Sequence, residues 1–373
     1  MSKTKHCTQC GTTLTEADTR MFDGEALCPD CFDDRTTVCD SCGVRIWTDD
    51  CCGEGSVRLC EDCFESHYNH CHNCGHLIHE TDTHFDSQDH PYCHNCYQDR
   101  YGSIHEYDYR PEPIFFGSDA PIRGARCPLY LGVELEVDEG GEYKENAEDL
   151  LRIANCGQKR LYIKHDGSLE DGFELISHPM TLSYHQQQMP WEALLDRAQE
   201  LGYRSHQTDT CGLHVHVSRK ALGSSEEEIE QAVGRVVYFV EAHWKELLRF
   251  SRRSEEALSR WAARYGLKDT ARQTYDGAKK KTVSRYVCVN LLNYDTIELR
   301  IFRGTLRCET FLATLQLAEE ICHLAAEMDD AAFEAMTWSA FVAGIGREKQ
   351  ELIDYLKQKR LYINEAVAEA EEV

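Results

Sequence analysis

The sequence predicts an α+β protein: small cysteine-knuckle modules in tandem, followed by a larger domain with an antiparallel sheet and helices on one of its faces. Three observations predict it. Cysteines recur as CxxC pairs with a 32-residue period near the N-terminus. Several later segments alternate apolar and polar residues with the period of a half-buried strand. Between and after them, apolar residues recur at helical spacing. A chain of 373 residues is long enough for such a pair of regions, with a sizeable core in one of them.

The modules align by placing the chain on itself. Cys7 and Cys10 pair with Cys28 and Cys31, Cys39 and Cys42 with Cys60 and Cys63, and Cys71 and Cys74 with Cys93 and Cys96. Glycine follows the first pair each time (Gly11, Gly43, Gly75) and an aromatic follows the second (Phe32, Phe64, Tyr97). A CxxC knuckle places two sulfurs on one tight turn, where glycine tolerates a positive φ, and two knuckles complete a tetrahedron around Zn²⁺. Units this small bury too little apolar surface to fold alone, whereas structural zinc supplies about 10–16 kcal/mol. Three structural zinc ions are expected, in modules at residues 1–34, 35–66 and 67–102. The knuckles resemble LIM-type or treble-clef-like zinc modules, from which they depart in having all-cysteine tetrads and a seven-residue gap between modules. Cys51 and Cys52 interrupt the repeat, and His67, His70 or His72 is an alternative ligand.

Formal charge is −25, and residues 1–110 carry 8 basic against 21 acidic side chains. That balance disfavours nucleic acid as the modules' partner, since phosphate binding needs a clustered positive face. The modules are instead expected to recruit a protein partner. Fourteen of the twenty cysteines precede residue 97, mostly at knuckle spacing. With no apolar signal segment at the start and no long apolar run, a reducing cytoplasm and no membrane are expected.

Residues 103–128 mix Pro111, Pro113, Pro121 and Pro128 with Gly117 and Gly124 and read as an extended linker. A domain over residues 129–373 follows. In residues 129–138, Leu131, Val133, Leu135 and Val137 oppose Gly132, Glu134, Glu136 and Asp138. In residues 211–218, Leu213, Val215 and Val217 oppose His214 and His216, and in residues 296–303, Ile297, Leu299 and Ile301 oppose Glu298 and Arg300. A fourth segment, after Asp166-Gly167-Ser168-Leu169, sets Phe173 and Leu175 against Glu174. One such polar face would ordinarily face water. Four that together offer Glu, His and Arg form a set able to bind metal and phosphate.

Ser225 with Glu228 marks a capping box for a helix through about Arg249. Its stripe of Ile229, Val233, Val236, Val237, Val240, Trp244 and Leu248 reads as core. Residues 311–328 and 348–359 repeat the pattern, ahead of an acidic tail. Cys127, Cys156, Cys288, Cys308 and Cys322 read as buried thiols, and Cys211 lacks a dedicated base.

The segments Gly132-Val133-Glu134-Leu135-Glu136, Asp166-Gly167-Ser168-Leu169, Phe173-Glu174-Leu175, His214-Val215-His216 and Glu298-Leu299-Arg300 together resemble the amidoligase family, carboxylate–amine ligases related to glutamine synthetase and glutamate–cysteine ligase. The resemblance spans roughly residues 125–330. It implies a glutamine-synthetase-like sheet, with Glu134, Glu136, Glu174, His214 and Glu298 holding Mg²⁺ and His216 and Arg300 approaching the phosphates of ATP. The implied activity is ATP-dependent formation of an amide or peptide bond between carboxylate and amine substrates, small molecules or peptides, through an acyl phosphate. Hard oxygen ligands suit Mg²⁺, and an arginine supports a phosphoryl group in transfer.

Arg303 and one of Arg252 and Arg253 are further candidates for phosphate or substrate carboxylate, each also readable as a surface arginine. Asn290 either orients substrate or satisfies backbone, and Asp166 is either a distal ligand or a turn residue. Three other functions stay open: a non-catalytic zinc-module adaptor, a zinc hydrolase using His214 and His216, and simple phosphotransfer. Acidic residues outnumber histidines in the set, which favours Mg²⁺ over Zn²⁺.

Overall fold

The computed structural model describes residues 5–362 apart from 123, 209, 282 and 283, so the acidic tail lies outside the described residues. The chain divides into two units, Met1–Asp99 and Arg100–Val373.

In the smaller unit the first CxxC of each module sits in the turn of a short antiparallel hairpin. These hairpins pair Lys5–His6 with Thr13–Leu14, Thr36–Val38 with Arg45–Trp47, and Tyr68–His70 with Leu77–His79. The turns need the knuckle glycines, which have φ of 76°, 74° and 73° at Gly11, Gly43 and Gly75. The second CxxC opens a short helix, Pro29–Arg35, Glu61–His67 or His94–Tyr101, with Cys28 and Cys60 as N-caps of the first two. Apolar cores are correspondingly small: Leu14 and Leu27 of the first module lie under its Phe22 and Phe32 and under Trp47 of the second, and Leu59 of the second lies under its Phe64 and under Tyr68 of the third.

The larger unit begins with β1 (Ile104–His105), β2 (Tyr130–Val137), α1 (Lys144–Asn155), β3 (Leu161–Lys164), β4 (Phe173–Ser177) and β5 (Met180–Thr181). It continues through α2 (Leu182–Gln187), α3 (Trp191–Glu200), β6 (Gly212–Ser218), α4 (Glu226–Ala242), α5 (Trp244–Ser251), α6 (Glu255–Trp261) and α7 (Ala271–Lys281). Then come β7 (Val289–Asn290), β8 (Thr296–Arg303), α8 (Cys308–Glu327), α9 (Asp330–Glu334), α10 (Trp338–Gly344) and α11 (Gln350–Gln358). The strands form one sheet in the order β1-β3-β4-β2-β6-β8-β7, with β5 against the start of β2. All pairs are antiparallel except β1 with β3. The segment read as an extended linker therefore supplies an edge strand, and Phe116 bridges to Met180.

Alternation sorts the sheet's faces as expected. Leu131, Val133, Leu135, Leu213, Val215, Val217, Ile297 and Leu299 are all buried, with α1, α5 and α8 packed against β3, β8 and β6. Two expectations need correction. The long helix predicted to reach Arg249 breaks at His243 (φ −103°, ψ 31°) and restarts as α5. The break advances the apolar stripe, so Leu247 rather than Leu248 is buried. Of the isolated cysteines, Cys211, Cys288 and Cys322 are buried, but Cys127 and Cys308 are half-buried and Cys156 is exposed. No helix of the described residues is long and apolar enough to cross a membrane.

Candidate functional site

Each module gathers four cysteine sulfurs within 4.8 Å of one another. Sulfurs 2.3 Å from a tetrahedral Zn²⁺ stand about 3.8 Å apart. Across the two knuckles the spacing is 3.7 Å for Cys10 and Cys28, 3.7 Å for Cys42 and Cys60, and 3.9 Å for Cys74 and Cys93. Backbone amides also serve the sulfurs: Cys31 N donates to Cys28 Sγ at 3.4 Å and Cys93 N to Cys71 Sγ at 3.3 Å. The residues fit structural zinc, and the tetrads are all-cysteine. His67 and His70 turn elsewhere, to Glu80 and to the Gly75 carbonyl, and His72 stacks on His90. Cys51 and Cys52 join none of these groups.

In the larger unit, strand register assembles a chemical face. Glu134 of β2 lies opposite His214, Glu136 opposite Glu174, His216 opposite Glu298, Asn290 opposite Glu298, and Lys164 opposite Glu174. Six strands thus deliver polar side chains to one side of the sheet, which forms the floor of a cavity of about 520 Å³. That lies within the ordinary range for small-molecule sites.

The carboxylates divide into two groups, each with ligand atoms within 4.8 Å of one another: Glu134 with His214 and Glu298, and Glu136 with Asp166 and Glu174. In the first, His214 Nδ1 is 3.2 Å from Glu134 Oε2 and 3.8 Å from Glu298 Oε1. His216 Nε2 lies 3.2 Å from Glu134 Oε1. Glu298 accepts from Asn290 Nδ2 at 2.7 Å and from the Arg300 guanidinium. Burial pushes the Glu134 carboxyl up, but His216 and His214 outweigh it and hold the carboxyl well below its usual range. Glu298 is likewise lowered, His216 and Arg300 helping to overcome burial and the charge of Glu134.

The second group is short of positive charge. Burial, then the charges of Glu134 and Asp166, drive Glu174 well above the usual carboxylate range, with Lys164 opposing. Burial also raises Glu136, although His214, Arg253 and the Gly212 amide partly offset it. Glu174 Oε2 is buried without a hydrogen bond, although Lys164 Nζ stands 3.3 Å away. Three carboxylates buried at this spacing call for a cation or a proton. Hard oxygen ligands in such a set fit Mg²⁺.

Cations line the cavity above this floor: Lys164, Arg253, Arg285 and Arg300, with Arg110. The Arg300 Nε is buried and without a hydrogen-bond partner. A β-bulge at His214, where Leu213 pairs with Phe302 but Val215 with Leu299, puts Arg300 and Ile301 opposite one residue. The bulge returns Arg303 to the side of Gly212, its pair. Arg303 nevertheless lies outside the cavity lining, donating to the Thr208 and Arg252 carbonyls at 3.2 and 3.5 Å. Of the arginine pair after α5, Arg253 lines the cavity and Arg252 does not.

Sequence reasoning passed over Lys164, Arg285 and the aromatics Tyr109, Tyr162, Trp261 and Tyr286 that line the cavity. The sole signal was the short run Leu161–Lys164, whose alternation is too brief to separate from a loop.

The floor and its cationic walls have the size and charge that suit a charged small molecule. Residues 152–322 match the model of a family described as "Putative amidoligase enzyme", so the resemblance read from the motifs is borne out there. The matched segment holds Asp166, Glu174, His214, His216, Glu298 and Arg300; Glu134 and Glu136 lie just before it. No curated protein matches the chain.

Proposed function

We propose that the larger unit is an ATP-dependent carboxylate–amine ligase, with residues 129–373 as its catalytic domain on a glutamine-synthetase-like sheet. The observation that carries this reading is the pairing of two buried carboxylate groups on one sheet face with a wall of arginines, in a segment that matches an amidoligase family. Glu134, His214 and Glu298 would hold one Mg²⁺, and Glu136, Asp166 and Glu174 a second. Bound Mg²⁺ and ATP would supply charge neutralisation and the phosphoryl group that turns a substrate carboxylate into an acyl phosphate. Arg300 and Arg253 contribute fixed positive charge beside the transferring group, without reorganisation at the moment of transfer. His216, whose imidazole is raised above its ordinary value because Glu134 and Glu298 outweigh its burial, adds a further donor. An attacking amine would form the C–N bond as the C–O bond to phosphate breaks, releasing inorganic phosphate and giving its proton to solvent. Arg303 belongs to the second rank, bracing the turn that carries Arg253. The zinc modules serve to recruit a protein substrate or partner.

The zinc hydrolase reading is weaker on one count. A metal held by the HxH pair needs both rings on one ion, and His216 joins neither of the two groups formed by the described residues. An inactive adaptor is also disfavoured, because Glu136, Asp166 and Glu174 are buried together and short of positive charge, an arrangement that costs stability and that a bound cation relieves. The test is ADP release from Mg-ATP with a panel of amino acids and peptides. Glu136→Ala is expected to reduce it by at least about 100-fold. Equal release by the two proteins rejects the assignment.

A further inference from the structure

A second cavity of the larger unit, about 550 Å³ in volume, is lined by Arg204, His206, Arg252, Arg307 and Lys359 and by no aspartate or glutamate. In a chain of net charge −25 such a lining is conspicuous. Among the described residues no carboxylate pairs with any of these cations. Arg252 donates to neutral groups, the Arg303 carbonyl at 2.7 Å and His206 Nδ1 at 3.3 Å, and its buried Nε has no partner. Lys359 Nζ lies over the Tyr355 ring, 5.3 Å from its centroid.

Like charges held together without a counter-ion repel, and the neighbouring groups register it. Desolvation, then Arg252, Arg303, Lys359 and Arg307, push the His206 imidazole down to about 4. Desolvation, then Arg252, Arg307 and Arg249, lower the Lys359 ammonium. The cavity also takes in the first turn of the 20-residue helix α8 through Thr310. That helix starts after Arg307 with no side-chain cap, so its first amides have no partner within the helix. Uncapped amides and the positive end of the helix dipole add to the same field.

We infer that this cavity is a second anion site, separate from the catalytic cavity, which takes a phosphate-bearing small molecule with two or more negative charges. Phosphate matches both kinds of donor present, guanidinium forks and helix-end amides. The site shares a wall with the catalytic cavity, because Arg252 faces one and Arg253 lines the other. Arg252 adopts a left-handed conformation (φ 65°) at the end of α5, which sends the two consecutive guanidinium groups to different cavities. Arg253 in turn reaches the Cys211 carbonyl at 3.4 Å, just before the His214 strand. Occupancy of the second site would therefore bear on the position of Arg253. The inference stands apart from the ligase reading and survives its failure.

The test is isothermal titration of the full chain with inorganic pyrophosphate, without added Mg²⁺. One saturable site is expected. The double variant Arg307→Gln, Lys359→Gln should weaken binding at least about tenfold, whereas Arg300→Gln should change it less than about twofold. Arg307 is exposed, so Arg307→Glu alone gives a charge reversal that leaves the fold intact, and it should abolish binding. Loss of binding in Arg300→Gln with retention in the double variant would move the anion to the catalytic cavity and overturn the inference. Citrate binding as tightly as pyrophosphate would overturn the phosphate class. Binding seen only after deletion of residues 363–373 would overturn it in favour of the chain's own glutamates as occupant.

Discussion

His185 is held neutral by two hydrogen bonds that fix its tautomer. Trp191 Nε1 donates to its Nδ1 at 3.3 Å, so Nε2 carries the proton and donates to the Leu131 carbonyl at 3.1 Å. Protonation would aim a second N–H at the indole N–H in a fully buried place, and burial lowers the imidazole to about 4 despite the Leu131 carbonyl. Because the folded value lies below the unfolded one, about 6.5, the unfolded chain binds more protons between them. Stability is therefore full above about pH 6.5 and lost as pH falls through the window down to about 4, by about 2 kcal/mol at pH 5. Urea denaturation at pH 7 and pH 5 checks this: His185→Gln should remove about that much of the acid loss, and an unchanged difference would refute it. The same scale shows what single residues could reveal about the site. Alternation in β2 put Glu134 and Glu136 on one face, and this was legible from the sequence. That they serve different groups was not, because each takes its partners from another strand, His214 in β6 for one and Glu174 in β4 for the other.

At the scale of elements, local signals carried furthest where the physics is local. The capping box is present: Ser225 Oγ accepts from Glu228 N at 3.2 Å, and the Glu228 carboxylate accepts from Ser225 N at 3.2 Å. Ser225→Ala should cost about 1 kcal/mol in urea unfolding; no loss would mean that packing of α4 alone fixes its start. The other end of that helix shows where periodicity stops informing. The stripe continues through Trp244, but His243 packs on Phe239 and Trp338, with ring centroids 4.5 and 5.7 Å away, and leaves helical geometry. The Trp338 contact comes from α10, far along the chain, and no window around residue 243 contains it. The bulge at His214 is of the same kind. It depends on how β8 pairs with β6, and it alone explains why Arg300 and Arg303, three residues apart, fall on one side of the sheet.

Over the whole molecule, metal and charge are divided between the two units, and the division makes a test possible. The smaller unit has apolar cores of a few side chains, so zinc held by its tetrads would supply most of its folding free energy. The larger unit buries many apolar side chains of its own, and its candidate metal ligands are mainly carboxylates. Hard oxygen ligands bind Mg²⁺ weakly and reversibly, while four thiolates bind Zn²⁺ tightly. Stripping the full chain with a strong chelator under reducing conditions, then restoring Mg²⁺ alone, should therefore separate the units functionally. Metal analysis should show three zinc ions per chain before treatment and none after, consistent with the three tetrads. The smaller unit should lose protection in hydrogen exchange while the larger keeps its own, and Mg²⁺-dependent ADP release with small amines should return to within about twofold. Turnover on a protein substrate should not return until zinc is restored, because recruitment is assigned to the modules. If small-molecule turnover also waits for zinc, or a fourth zinc ion proves necessary for it, the metal chemistry of the His214 face has been misassigned and the hydrolase reading takes its place.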